Sequence, residues 1–198
     1  MTFQVNGKQK VTFIHIPKTA GTSITEWFRL ICTYPPNGYE MTKFCETREH
    51  WGINELRKTQ SDLGWTFAVV RNPWDYAVSL YHHLVQKMPI AYPKLQWLED
   101  VTFDDWISDI DNYPKTFVEP YKLSSPQVSW IDETVYVLRY EYLERDFKVV
   151  QNVMGHHLPL PVRNVSSRTA YKDYYNDTTR KLVAKIFEED IERFKCVF

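Results

Sequence analysis

Two short runs decide most of what this chain can become. "VTFIHI", 11–16, and "WTFAVV", 65–70, are almost wholly apolar or β-branched. A run without polar alternation has both faces covered, so each reads as a buried strand. Each stops at a Pro-bearing turn, "PKTAGT" and "RNPWD", and each turn is followed by helical spacing. After the first, Ile24, Trp27, Phe28 and Ile31 share a face. After the second, the spacing predicts a helix over 76–86 with Val78, Tyr81, His82 and Val85 together. A third run, "TVYVLRY", 134–140, reads as a further strand. Strands alternating with helices predict an α/β fold, with a central, mainly parallel sheet flanked by helices in a three-layer sandwich.

Weaker signals fill in the rest. "TFQVNGKQKV" has β-type runs around Asn6-Gly7, a hairpin signal. "EHWGINELRK" predicts a short helix. Thr102, with Asp105 three residues on, predicts a capped helix start. "LERDFKVVQNVMG" predicts a helix stopped by Gly155. "NDTTRKLVAKIFEEDIERF" predicts one long last helix. Residues 88–102 read as loop and 112–130 as irregular. With 198 residues and no repeat or linker, one domain over 1–198 is expected.

Composition narrows function by exclusion. The net charge is −1, so no global field draws a polyanion, no nucleic-acid partner is expected, and any anion site must be local. Cys32, Cys45 and Cys196 are far apart and lack zinc-site spacing. A reducing compartment follows. No signal core and no apolar run of about 18 residues is seen, so no membrane span and a cytoplasmic location are expected.

The loop after the first strand is built for an anion. Strand, tight turn and helix start present backbone amides at the positive end of a helix. Pro17, Lys18, Thr19, Ala20, Gly21, Thr22 and Ser23 form it. Lys18 brings a full charge, Gly21 permits close approach, and Thr19, Thr22 and Ser23 bring hydroxyls. A nucleotide P-loop reads G-x-x-x-x-G-K-[ST]. Here Lys18 precedes Gly21, and Arg71 stands where a magnesium-binding carboxylate belongs. A kinase or NTPase is therefore the lesser reading, beside a non-catalytic adenine-nucleotide-binding module.

"HIPKTAGTS" resembles the 5′-phosphosulfate loop of sulfotransferases that use 3′-phosphoadenosine 5′-phosphosulfate (PAPS). The likeness is to the carbohydrate branch, which includes the heparan sulfate 2-O- and 6-O-sulfotransferases. "FAVVRNPWDYAVSLY", 67–81, is similar to that family's 3′-phosphate segment. "VLRYEYLERDF" and "NVSSRTAYKDYYND…EEDIERF" also resemble it. The resemblance implies a P-loop-like fold and sulfuryl transfer to an acceptor hydroxyl, on a saccharide, without a metal. It implies Lys18 at the departing oxygen, the loop on the 5′ end, and Arg71 with Ser79 on the 3′-phosphate. Arg168 and Ser167 fall in the late loop that closes over the nucleotide.

An acceptor hydroxyl needs a base, and histidine titrates nearest neutrality. Of six histidines, His50 begins the helix between the two donor loops. It resembles the segment where the 6-O-sulfotransferases carry their base, although Trp51 follows it directly. Glu49 and Glu46 are the alternatives. His15, on the strand before the loop, reads as a packed or supporting residue.

Overall fold

The computed structural model describes residues 2–6, 9–33, 40–43, 50–113, 123–163 and 168–198; the side chains of residues 42 and 43 are not among them. In chain order the elements are β1 (Phe3–Asn6), β2 (Lys10–Ile14), α1 (Gly21–Thr33), β3 (Glu40–Lys43), α2 (Ile53–Thr59) and β4 (Trp65–Val70). Then come α3 (Pro73–His82), a π turn (His83–Lys87), α4 (Met88–Ala91), α5 (Phe103–Ser108), β5 (Tyr136–Arg139), α6 (Leu143–Asp146), α7 (Lys148–Met154), α8 (Asp177–Ile186) and α9 (Glu188–Phe194). They group into two compact units. The first takes in Met1–Arg71, Phe117–Pro120 and Gln127–Ser166. The second takes in Asn72–Thr116, Tyr121–Pro126 and Ser167–Phe198.

The first unit is a five-stranded sheet in the order β3-β1-β2-β4-β5, with helices. β2, β4 and β5 are parallel neighbours, in a register that sets Phe13 beside Phe67 and Phe67 beside Tyr136. β1 pairs antiparallel with both β2 and β3. The sheet is therefore mixed, not mainly parallel, because half of its pairings are antiparallel. The reason is local: a short link between β1 and β2 can only return the chain antiparallel. The hairpin expected around Asn6-Gly7 is present in its strands, with Gly7 itself outside the described residues.

One face of this sheet makes the main core. Phe3, Val5, Val11, Phe13, Phe67, Val69 and Leu138 alternate along the strands onto that face. Ile24, Trp27, Phe28 and Ile31 of α1 meet them, as do Phe147, Val150 and Met154 at α7. Each such side chain contributes roughly 1.5–3 kcal/mol by leaving water. The Trp27 indole also donates to the Leu158 carbonyl at 2.7 Å, fastening the chain after α7 to α1. Gly155, left-handed at φ 68°, ends α7 as expected.

The second unit is helical around aromatic contacts. Tyr76 meets Phe187 edge-on at 5.8 Å, and Tyr81 meets Phe103 at 5.4 Å. The Thr102 hydroxyl caps α5 by accepting from the Asp105 amide. Three expectations change here. The helix predicted over 76–86 starts at Pro73, with the Asn72 side chain capping it, and widens into the π turn after His82. Residues 88–102 hold α4 and a 3-10 stretch, Pro93–Asp100, rather than loop. The single long last helix is two, broken at Phe187 (φ −111°, ψ 32°). Glu188, Glu189 and Asp190 then suit a new helix N-terminus.

Candidate active site

The loop between β2 and α1 is tight and strained. Lys18 and Ala20 are both left-handed, at φ 62° and 66°. A side-chain residue there costs about 1–2 kcal/mol relative to the right-handed form. The fold holds them so, and strain maintained at a turn is a mark of function. The Thr19 hydroxyl is fully buried and donates to the Ile16 carbonyl at 2.8 Å. It closes the loop on itself, which differs from the expectation that it faces an anion. Pro17 is buried, Lys18 and Ala20 are half-buried, and Thr22 is exposed. The Ile24 amide makes the first helical bond, to Ala20, so the amides of Gly21, Thr22 and Ser23 stand at the positive helix end. The buried Ser23 hydroxyl accepts from the Arg163 amide at 3.1 Å.

Gly21 has a neighbour that the sequence did not foretell. A Cβ built on it would lie 1.8 Å from His15 Nε2. The first reason for a glycine here is thus the imidazole of His15.

Arg71 directly follows β4, with only 7% of its surface exposed. Its Nη1 donates to the Lys18 carbonyl at 3.1 Å, and its guanidinium lies 3.9 Å over the Tyr140 ring. Gln127 grips its backbone from both sides, accepting from the Arg71 amide at 2.9 Å and donating to its carbonyl at 2.8 Å. The two motifs read separately in the sequence are joined by one hydrogen bond. Gln127 and Tyr140 were missed as supports. Tyr140 is the last residue of the strand predicted over 134–140, so its place at a strand end was readable; Gln127, in irregular chain, carried no signal.

His50 is 9% exposed and belongs to the same unit. Its Nδ1 lies 2.7 Å from the His15 carbonyl. A carbonyl only accepts, so Nδ1 carries the proton and Nε2 of the neutral ring carries a lone pair. Burial pushes its pKa from 6.5 down to about 4, so the ring is neutral at pH 7. The Trp130 indole donates to the His50 carbonyl at 3.1 Å, and the Thr2 hydroxyl to the Trp51 carbonyl at 2.8 Å. These bonds fix the backbone at the base of the ring. Glu46 and Glu49 lie outside the described residues, as does Ser167.

The other expected residues belong to the second unit. Ser79 is half-buried on α3. Arg168 is ion-paired with Asp75, and both side chains are largely buried. Its charge therefore has a carboxylate partner within its own unit. His82 Nε2 lies 2.7 Å from the Tyr174 hydroxyl. Trp27 and Trp74 are buried core residues. Among the described residues no group of three His, Cys, Asp or Glu is set to hold a metal ion. Nor is any described helix long and apolar enough to cross a membrane.

A strained loop carrying a lysine, a helix start behind it and a buried arginine bonded to it bring the two sequence motifs together. The profile of the sulfotransferase family matches residues 1–196. The chain belongs to the sulfotransferase family. Family membership supports sulfuryl transfer in general as its chemistry. No curated protein and no solved structure matches the chain.

Proposed function

We propose that this sulfotransferase takes its sulfuryl group from PAPS and passes it to a hydroxyl on a carbohydrate, with His50 as general base. The observation that carries the reading is the Arg71–Lys18 bond, which ties the 3′-phosphate motif to the 5′ loop. A donor with phosphate at one end and phosphosulfate at the other needs both held in one frame. The donor loops resemble those of the carbohydrate branch, and this supports a saccharide acceptor. The family match covers residues of both units, which favours one domain over 1–198 with a P-loop-like three-layer arrangement. The three separated cysteines suit a reducing, cytoplasmic setting.

In the transfer, the acceptor oxygen forms a bond to sulfur while the bridging bond from sulfur to the phosphate oxygen breaks. The hydroxyl proton passes to His50 Nε2, the nitrogen left open by the Nδ1 bond. The Lys18 ammonium and the α1 start meet the negative charge that gathers on the departing oxygen. Pro17, Thr19, Ala20 and Gly21 shape that cradle, and Thr22 and Ser23 offer hydroxyls to it. Arg71 serves the 3′-phosphate from its post beside Lys18. Ser79, Ser167 and Arg168 enter the donor site on the resemblance alone, and the Asp75 pairing gives Arg168 the smaller share. None of these roles calls for a metal ion.

Calorimetric titration with adenosine 3′,5′-bisphosphate, against ATP with magnesium, tests the donor. Binding of the bisphosphate without metal, and in preference to ATP, is expected. Preference for ATP with magnesium would return the chain to the kinase reading, and binding of neither would end the donor assignment. Once an acceptor is found, His50→Ala should lower turnover by roughly 10²–10⁴-fold with bisphosphate affinity intact. Turnover close to wild type would remove His50 as base.

A further inference from the structure

The place where Gly21, His15 and His50 meet is not explained by anion binding. Gly21 is not left-handed, so its backbone conformation does not require glycine. What excludes a side chain is the His15 ring, with Nε2, Cδ2 and Cε1 all within 2.4 Å of where a Cβ would stand. The same ring stacks on Phe13 at 5.6 Å and 22°, and meets His50 edge-on at 4.7 Å and 70°. It is thus held between a strand residue, a helix start and the candidate base. The His15 carbonyl, from the same residue, accepts the His50 Nδ1 proton.

We propose that Gly21 is a seat for the His15 imidazole, and that His15 is a positioning residue which holds His50 as its Nδ1-protonated tautomer. The backbone carbonyl sets which nitrogen carries the proton. The edge-on ring blocks the half-turn of the His50 ring that would exchange Nδ1 for Cδ2, and keeps water from competing for the carbonyl. A metal-free histidine base is oriented in this way by the group its other nitrogen donates to. Here that group and the steric guard come from one residue, and the loop glycine makes room for the guard. The inference deepens the reading of His50 as base, yet its test needs no acceptor.

The test is ¹⁵N spectroscopy of the histidine rings at neutral pH, on the wild-type protein and on His15→Ala, Gly21→Ala and the double variant. Wild-type His50 should show one tautomer, protonated at Nδ1. His15→Ala and Gly21→Ala should each give a mixture of tautomers, the first by removing the guard and the second by displacing it. The double variant should be no more mixed than His15→Ala alone, since the methyl then enters an emptied seat. An Nε2-protonated His50 in the wild-type protein would overturn the proposal before any variant is made. So would an unchanged His50 in His15→Ala, or an effect of Gly21→Ala that adds in full to it. The titration with adenosine 3′,5′-bisphosphate on the wild-type protein keeps the two readings apart. Failure to bind it would sink the donor assignment and leave the tautomer result standing.

Discussion

Arg71, buried, and Arg168, half-buried with a largely covered side chain, both stand at predicted donor loops, and the two units use them differently. Arg71 donates to the Lys18 backbone carbonyl and lies over the Tyr140 ring. Arg168 is held by the Asp75 carboxylate. An ion pair cancels most of the field of each partner, whereas a hydrogen bond to a carbonyl orients a guanidinium. Two arginines alike in sequence are thus anchored by unlike neighbours. The neighbours, not the residue type, assign the task.

The sharpest way to break this comparison is to remove each arginine. Arg71→Ala should weaken binding of adenosine 3′,5′-bisphosphate by roughly 10²-fold, the loss of about 3 kcal/mol in charge-assisted hydrogen bonds. Arg168→Ala should change that affinity by less than about threefold while lowering stability by about 3 kcal/mol, because Asp75 is left without its charge partner. Calorimetry and chemical denaturation read the two effects separately. Equal losses of affinity would erase the distinction.

A more gradual effect comes from pH. His50 titrates at about 4 in the folded protein and at its ordinary 6.5 in the unfolded chain. Between those values the unfolded chain holds a proton the native protein lacks. Stability is therefore full above pH 6.5 and falls as pH drops through the window, by up to about 1.4 kcal/mol per unit. Denaturation midpoints at a series of pH values should show this slope, and His50→Gln should flatten it. A variant as steep as the wild type would assign the slope to other groups.

The smallest effect concerns the loop itself. Ala20→Gly relieves a left-handed alanine and should stabilise the protein by about 1 kcal/mol. A thermal midpoint that does not rise would mean the strain is absorbed elsewhere in the first unit.

The part of the site that was legible in the sequence is the part carried by local pattern. The runs at 11–16 and 65–70 announced β2 and β4, and the face of Ile24, Trp27, Phe28 and Ile31 announced how α1 packs. Lys18 and Arg71 were found because each follows a strand at a turn. What escaped was contact across distance. Nothing near Gly21 in the chain says that His15 will occupy the space of its missing side chain. Nothing near Arg71 predicts Gln127, fifty-six positions away. The Thr19 hydroxyl was misread for the opposite reason: a hydroxyl in an anion loop suggests a ligand, while the tight turn brought a backbone carbonyl closer. Strand β3 was not anticipated at all, since four residues with a charge at each end give little period to read.

Those short strands have a consequence for how the protein behaves in a crowded solution. The order β3-β1-β2-β4-β5 leaves β3 and β5 as the two margins of the sheet, four residues each. An open margin is a template on which another chain can polymerise. One margin here begins with Glu40 and ends with Lys43. On the other, the Arg139 amide is already occupied by the Asp146 carboxylate at 3.0 Å. A sheet whose interior holds the apolar runs of β2 and β4 is thus guarded at its margins by brevity, by charge and by one well-placed aspartate.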